Sequence, residues 1–136
     1  MIVLDTNIVL DLFVFNDPAT PPLRAALADK KLQWIATLPM RDELERVLAY
    51  PKIVARMAFY QVTAAQVLAQ FDAQVQTVAV APKASVTCRD PDDQKFIDLA
   101  VTHQCVLLSK DAAVLCMAKR LLAQGVRAQA AINLVA

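Results

Sequence analysis

The sequence contains one glycine, Gly125, one histidine, His103, and two serines, Ser85 and Ser109. These scarcities remove several chemistries. A P-loop or a GxGxxG dinucleotide loop needs several glycines so that backbone can approach phosphate, and neither fits here. A Ser-His-Asp hydrolase has too few parts, and a histidine-rich zinc site has a single ligand to draw on. The three cysteines, Cys88, Cys105 and Cys116, are odd in number and lack paired metal spacing. They read as reduced, mostly buried residues of a cytoplasmic protein. No apolar run approaches the ~18 residues of a membrane span, and no basic segment precedes an apolar one as in a signal peptide. No membrane partner is therefore expected. Charge is also sparse, at 20% of residues with a net of +1. The total announces no basic footprint for nucleic acid, although a neutral sum can conceal acids gathered at one place with lysines and arginines around them.

What is abundant is apolar material. Hydrophobic residues make up 57% of 136 residues, enough for one domain (1–136) with a sizeable core. Among the 13 acids only Glu43 and Glu45 are glutamates. If the chain is a catalyst, carboxylates are the groups with which it works.

The chain alternates apolar strands and helical periodicity. Ile2, Val3 and Leu4 form an unbroken apolar run that ends in Asp5, Thr6 and Asn7, as in a strand buried on both faces of a parallel sheet. A helix is expected over 8–14. Asn16, Asp17, Pro18, Pro21 and Pro22 mark a loop, with Thr20 as candidate N-cap of a helix over 22–30. A strand follows at 32–37, then helices at 38–50, 52–60 and 63–75, the last capped by Thr63 with Val67, Leu68, Phe71 and Val75 as its buried stripe. A short strand is expected at 78–80 and an irregular segment over 83–92. The remainder reads as a helix over 92–104, a strand at 106–108, a helix over 112–124 closed by Gly125, and a strand at 126–129. This order argues an α/β fold, a doubly wound and helix-rich sandwich around a small parallel sheet.

Four acids stand out by position. Asp5 sits at the carboxyl end of the first strand, the edge where open α/β sheets bind ligands. A metal ligand and an ordinary N-cap are both open there. Asp111, in LLSKD, ends another apolar strand in the same way. Glu43 precedes the apolar Val47 by four residues and lies beside that helix's buried stripe. In CRDPDDQKFIDLA, Asp90 suits an N-cap and Pro91 the first helical position. Asp93 lies three, four and seven residues before Phe96, Ile97 and Ala100, so it points along the buried face. Gathered together, such carboxylates repel and raise one another's pKa. A divalent ion relieves that cost, and oxygen-only ligation suits Mg²⁺ or Mn²⁺. A metal so held suits phosphodiester hydrolysis.

LDTN after an apolar strand, the Thr37–Glu43–Leu48 stretch, DPDDQKFIDLA and the strand-end SKD together resemble the PIN domain, in particular a bacterial branch of toxin components of toxin–antitoxin systems. LDTN alone is a weak signal. The four motifs in family order, spanning essentially the whole chain, are specific. The resemblance implies a three-layer α/β/α sandwich and a metal-dependent ribonuclease acting on single-stranded RNA. It maps the family's four catalytic, metal-holding acids to Asp5, Glu43, Asp93 and Asp111. Asn7, Thr37 and Ser109 match polar positions that line the family's site, and Asp90 matches a further acid of this branch. Members often dimerise and many are inhibited by an antitoxin, so a homodimer and a cognate antitoxin are candidate partners beside RNA. Three features depart from the pattern. Asp11 stands where a small or apolar residue is usual; an extra site carboxylate and an exposed acid are both open there, and it reads as exposed. Glu45 has no family role. The C-terminal AINLVA lacks the usual polar helix start.

Arg41, Arg46, Lys52, Arg89, Lys95 and Lys110 flank the acid motifs and are candidate phosphate contacts, against ordinary solvation or surface pairing for each. Two other classes compete. A receiver-type signalling domain needs an acidic pair after the first strand, where Asp5 stands alone. A PIN-like module could bind RNA or protein without cutting. A haloacid-dehalogenase phosphatase is set aside because Asn7 occupies the position of its second aspartate.

Overall fold

The structure, a computed structural model, describes residues 1–131. Most of the AINLVA stretch, and with it any dimer surface expected there, lies outside the described residues.

The first strand, β1 (Ile2–Leu4), is buried along its whole length. It is central in a five-stranded sheet with β2 (Trp34–Ala36), β3 (Val75–Thr77), β4 (Val106–Leu108) and β5 (Arg127–Gln129), in the order β3-β2-β1-β4-β5. Every pairing is parallel, with Ile2 opposite both Trp34 and Val106. The unbroken apolar run has its reason here: β1 has a strand on each side and helices over both faces. Because the order reverses at β1, the carboxyl ends of β1 and β4 flank the sheet's topological switch point.

Eight helices accompany the sheet among the described residues: α1 (Thr6–Leu10), α2 (Pro21–Ala28), α3 (Leu38–Val47), α4 (Pro51–Phe59), α5 (Ala64–Gln74), α6 (Gln94–His103), α7 (Ala112–Leu115) and α8 (Ala118–Ala123). None is long and apolar enough to cross a membrane. Helix α6 packs on β1 and β4, while α3 packs against α1 and α5. With the strand order reversing at β1, the right-handed rule for parallel crossovers puts these groups on opposite faces, a three-layer α/β/α arrangement. The buried side chains form one continuous cluster. At its heart the Trp34 ring lies 5.9 Å from Phe13 and 5.1 Å edge-on from Phe71.

Four local expectations change. The strand expected at 78–80 is β3, at Val75–Thr77. Helix α5 runs into it without a turn, and Val75, expected on the helix stripe, is already extended (φ −88°, ψ 137°). As a half-exposed edge strand, β3 carries no apolar run to announce it. The helix expected over 112–124 is two helices, α7 and α8, parted at Cys116 and Met117. Met117 N–H reaches back to the Val114 carbonyl at 3.0 Å, a tightened turn, and the residue itself is buried. Apolar positions continue through the break, so periodicity passes over it. After α1 the chain widens into a π-helical segment, Asp11–Phe15, closed by Asn16 in the left-handed region (φ 51°). Thr20 stands at the start of α2, but its hydroxyl donates to the Asp17 carbonyl (2.6 Å) and caps nothing. By contrast Thr63 and Gln66 form a reciprocal capping box on α5, and Gly125 (φ 83°) follows α8 in the conformation that favours glycine.

Candidate metal centre

At the switch point the strand ends deliver their acids. Asp5 is buried, and its carboxylate makes no capping bond to α1. Instead Ser109 Oγ donates to Asp5 Oδ2 at 2.7 Å. The same hydroxyl accepts the Asp111 backbone N–H at 3.0 Å. Ser109, wholly buried at the end of β4, thus ties the two strand-end acids together. Asp111 does cap α7, accepting from Ala113 N–H at 2.8 Å. Asp90 accepts from Asp92 N–H at 3.0 Å at the head of the 3₁₀ turn Pro91–Asp93 that leads into α6. That turn carries Asp93 inward, where it is buried against Asp111.

Asp90, Asp93 and Asp111 present carboxylate oxygens that all lie within 4.8 Å of one another. Burial first, then the hydrogen bond to Asp111 and the charges of Asp5, Asp111 and Asp90, push the Asp93 carboxyl up to about 8. Asp5 is also raised, by burial above all, with Glu43 and Asp111 adding to it while the Ser109 hydroxyl and Thr6 N–H oppose. Among the described residues, Asp93 Oδ2 is the one buried side-chain polar atom with no hydrogen-bond partner. An orphaned oxygen inside a cluster of oxygen donors is what a hard divalent cation would satisfy, so the residues present fit such an ion.

Glu43 stands on α3 across the groove. Thr6 Oγ1 donates to its Oε2, and Lys95 Nζ meets its Oε1 at 2.7 Å. A groove of about 330 Å³ runs between these elements, lined by Asp5, Thr6, Asn7, Glu43, Arg46, Val47, Tyr50, Asp92 and Asp93. Asn7 is exposed on its wall, whereas Thr37 is buried at the end of β2 and does not line it.

The four mapped acids therefore meet around one site, with Asp90 drawn into the tightest group and Glu43 held apart by its own partners. Of the cations expected to contact phosphate, Lys95 pairs with Glu43, Lys110 with Asp11 and Asp17, and Arg41 with Asp72 and Glu45. Arg46 lines the groove, while Arg89 and Lys52 are exposed. Asp11, expected to be exposed, is buried. The turn that follows α1 aims it at Lys110, which neutralises it.

Three contributors escaped the sequence reading. Thr6 had a signal in its place between Asp5 and Asn7. Tyr50 had one in its spacing seven residues after Glu43, on the same helical line. The Lys95–Glu43 contact bridges 52 positions and carries no local signal.

Among curated proteins none matches this chain. The PIN domain family matches residues 1–113, the span that holds all of these acids. With its parallel sheet, the acids at its switch point and this match, the chain belongs to the PIN domain family, whose members are in general metal-dependent nucleases.

Proposed function

We propose that the protein is a ribonuclease that cuts single-stranded RNA with Mg²⁺ or Mn²⁺, held by Asp5, Asp93 and Asp111 with Glu43 closing the site and Asp90 supporting it. The observation that carries this reading is the partnerless Asp93 Oδ2, buried among carboxylates at the switch point. When bound, a divalent ion lowers the pKa of an attacking water and stabilises charge on the phosphate and the leaving oxygen.

The chain's own residues prepare the site. Ser109 Oγ, donating to Asp5 Oδ2, favours the carboxylate form against the burial that raises the Asp5 pKa, and fixes the position of that oxygen. Burial and the neighbouring acids push the Asp93 carboxyl up to about 8, which favours its protonated form at neutral pH. Holding a divalent ion there would call for the ionised Asp93 carboxylate beside Asp5 and Asp111. Thr6 and Lys95 fix the Glu43 carboxylate from two sides, so it is oriented before substrate arrives.

The finer biological role, the toxin of a toxin–antitoxin pair acting in the cytoplasm and restrained by an antitoxin, rests on the resemblance of the four motifs. A homodimer rests on the same ground. One observation favours the other reading, a module that binds RNA or protein without cutting: Lys95 already neutralises Glu43.

The test is cleavage of a short labelled single-stranded RNA with Mg²⁺ or Mn²⁺, beside an EDTA control and Asp93→Asn, with metal binding followed by calorimetry. Metal-dependent cleavage that Asp93→Asn lowers by about a hundredfold or more, together with metal affinity, is the expected result. Undiminished cleavage in that variant would refute the site. Absence of both cleavage and metal binding would leave the binding module.

A further inference from the structure

Two side chains of the acid groove take no part in holding the acids. Arg46 is exposed on the groove wall and enters no ion pair among the described residues. Tyr50 lines the same wall with 55% of its surface exposed, and its ring pairs with no other ring or cation among the described residues. An aromatic ring left open beside a polar groove lacks the burial that normally accounts for it.

The placement of these two groups is regular. Glu43, Val47 and Tyr50 follow one another along the wall at i, i+4 and i+7. The turn persists past the end of α3, because Ala49 N–H donates to the Arg46 carbonyl and Tyr50 N–H to the Val47 carbonyl, at 3.1 and 3.0 Å. At ~1.5 Å of rise per residue, Tyr50 stands ~10 Å along the wall from Glu43. That is far enough to meet a base flanking a phosphate held at the acids. The groove lining is acidic, through Asp5, Glu43, Asp92 and Asp93, so a polyanion needs positive charge to enter. Arg46 supplies it at the wall, between Glu43 and Tyr50 in sequence.

We propose that Arg46 and Tyr50 form a platform for one unpaired nucleotide beside the acid cluster, Tyr50 stacking on its base and Arg46 holding its phosphate. The proposal rests on the nuclease reading and adds to it a reason for strand choice. A single strand can turn the face of a base onto an aromatic ring, whereas a duplex hides those faces in its own stack. Stacking is indifferent to base identity, so the platform selects single strands without selecting sequence.

The test is fluorescence anisotropy with a labelled single-stranded RNA of about 12 nucleotides and with its blunt duplex, in Mn²⁺. Binding is read in an Asp93→Asn background, so that cleavage does not consume the probe. Tyr50→Ala is expected to weaken single-strand binding roughly tenfold or more, and Tyr50→Phe, which keeps the ring face, to stay within about twofold. Arg46→Ala is expected to reduce the salt dependence by about 0.7 in the log–log slope, the share of one phosphate contact on a single strand. Phe59→Ala removes a ring that is 77% exposed on α4 and does not line the groove, and should change nothing. Single-strand binding undiminished by Tyr50→Ala, equal binding of the duplex, or no RNA binding at all would overturn the proposal and leave the ring to a protein partner. Cleavage by the unsubstituted chain is scored separately. Tyr50-dependent binding without any cleavage would sustain the platform and sink the nuclease.

Discussion

Two groups of carboxylates lie near the carboxyl end of β4, and they are built in opposite ways. In one, Asp11 is buried with Lys110 Nζ against its Oδ2, and Asp17 approaches the same ammonium at 3.6 Å. In the other, Asp90, Asp93 and Asp111 crowd together with Asp5 beside them, and none of the four enters an ion pair among the described residues. The Lys110 ammonium is held above its usual pKa, chiefly by its hydrogen bond to Asp11. The Asp93 carboxyl is pushed up to about 8 by burial and by the acids around it. Two consecutive residues, Lys110 and Asp111, thus serve a closed group and an open one. The closed group has settled its charge inside the chain and reads as structure. The open group has left its charge unsettled, which is how a binding site differs from a well-paired surface.

The most forceful way to separate the two groups is through Ser109, which belongs to the open one alone. Ser109→Ala removes the donor to Asp5 Oδ2 and the acceptor of Asp111 N–H. Loss of such an orienting partner should weaken Mn²⁺ binding by about 10- to 100-fold in calorimetry. An unchanged affinity would mean that Asp5 lies outside the metal's reach.

Next in size is a pH effect of the open group. In the metal-free protein the Asp93 pKa is raised from 3.8 to about 8, so between those values the folded chain holds a proton that the unfolded chain has lost. Stability from this group is therefore complete below pH 3.8 and falls away as pH rises through 8. Asp5 is shifted in the same direction. Thermal melts in EDTA should show Tm falling by about 5 °C or more from pH 5 to pH 8. Mn²⁺ should reverse the fall at pH 8, and Asp93→Asn should flatten it. A metal-free Tm that rises over this interval would show the acids to be solvated and apart.

The closed group gives a smaller, purely structural response. Lys110→Ala leaves the Asp11 carboxylate buried without its cation, while the lysine itself was partly exposed, so the cost should be about 1–2 kcal/mol, a few degrees in Tm. Mn²⁺ affinity should stay within about twofold, because the open group holds its ion without Lys110. A large loss of metal binding with little change in Tm would mean that the two groups are one.

The same contrast separates what the sequence discloses from what it hides. Strand-end acids are legible because Asp5 and Asp111 each follow an unbroken apolar run, and Asp93 because of its phase against Phe96, Ile97 and Ala100. Those signals are local and periodic. The partners that decide each acid's state are distant in sequence. Ser109 reaches Asp5 across 104 positions and Lys95 reaches Glu43 across 52. No spacing rule told Asp11, which the chain buries and pairs, from an exposed acid. The sheet was legible in its buried strands, β1, β2 and β4, and least so at β3, whose half-exposed residues pair along an edge. The break between α7 and α8 was invisible because packing, and no helix-breaking residue, makes it.

The smallest expected effect concerns Arg41, one of the cations flanking the acid motifs. Its guanidinium meets Asp72 with two parallel bonds, Nε to Oδ1 at 2.8 Å and Nη2 to Oδ2 at 2.9 Å, joining α3 to α5. Asp72 is held below its usual pKa chiefly by that hydrogen-bonded guanidinium. Both side chains are substantially exposed, so the pair should contribute no more than about 0.2–1 kcal/mol and be screened by salt. Arg41→Ala should therefore lower Tm by only a degree or two, less at 1 M NaCl, and should leave RNA binding and its salt slope unchanged, because phosphate would have to displace Asp72 from a fork that already fits it. A drop in the salt slope equal to that of Arg46→Ala would show that RNA wins this exchange. Arg41 would then belong with Arg46 on the substrate's path, and the distinction between settled and unsettled charge would hold only until substrate arrives.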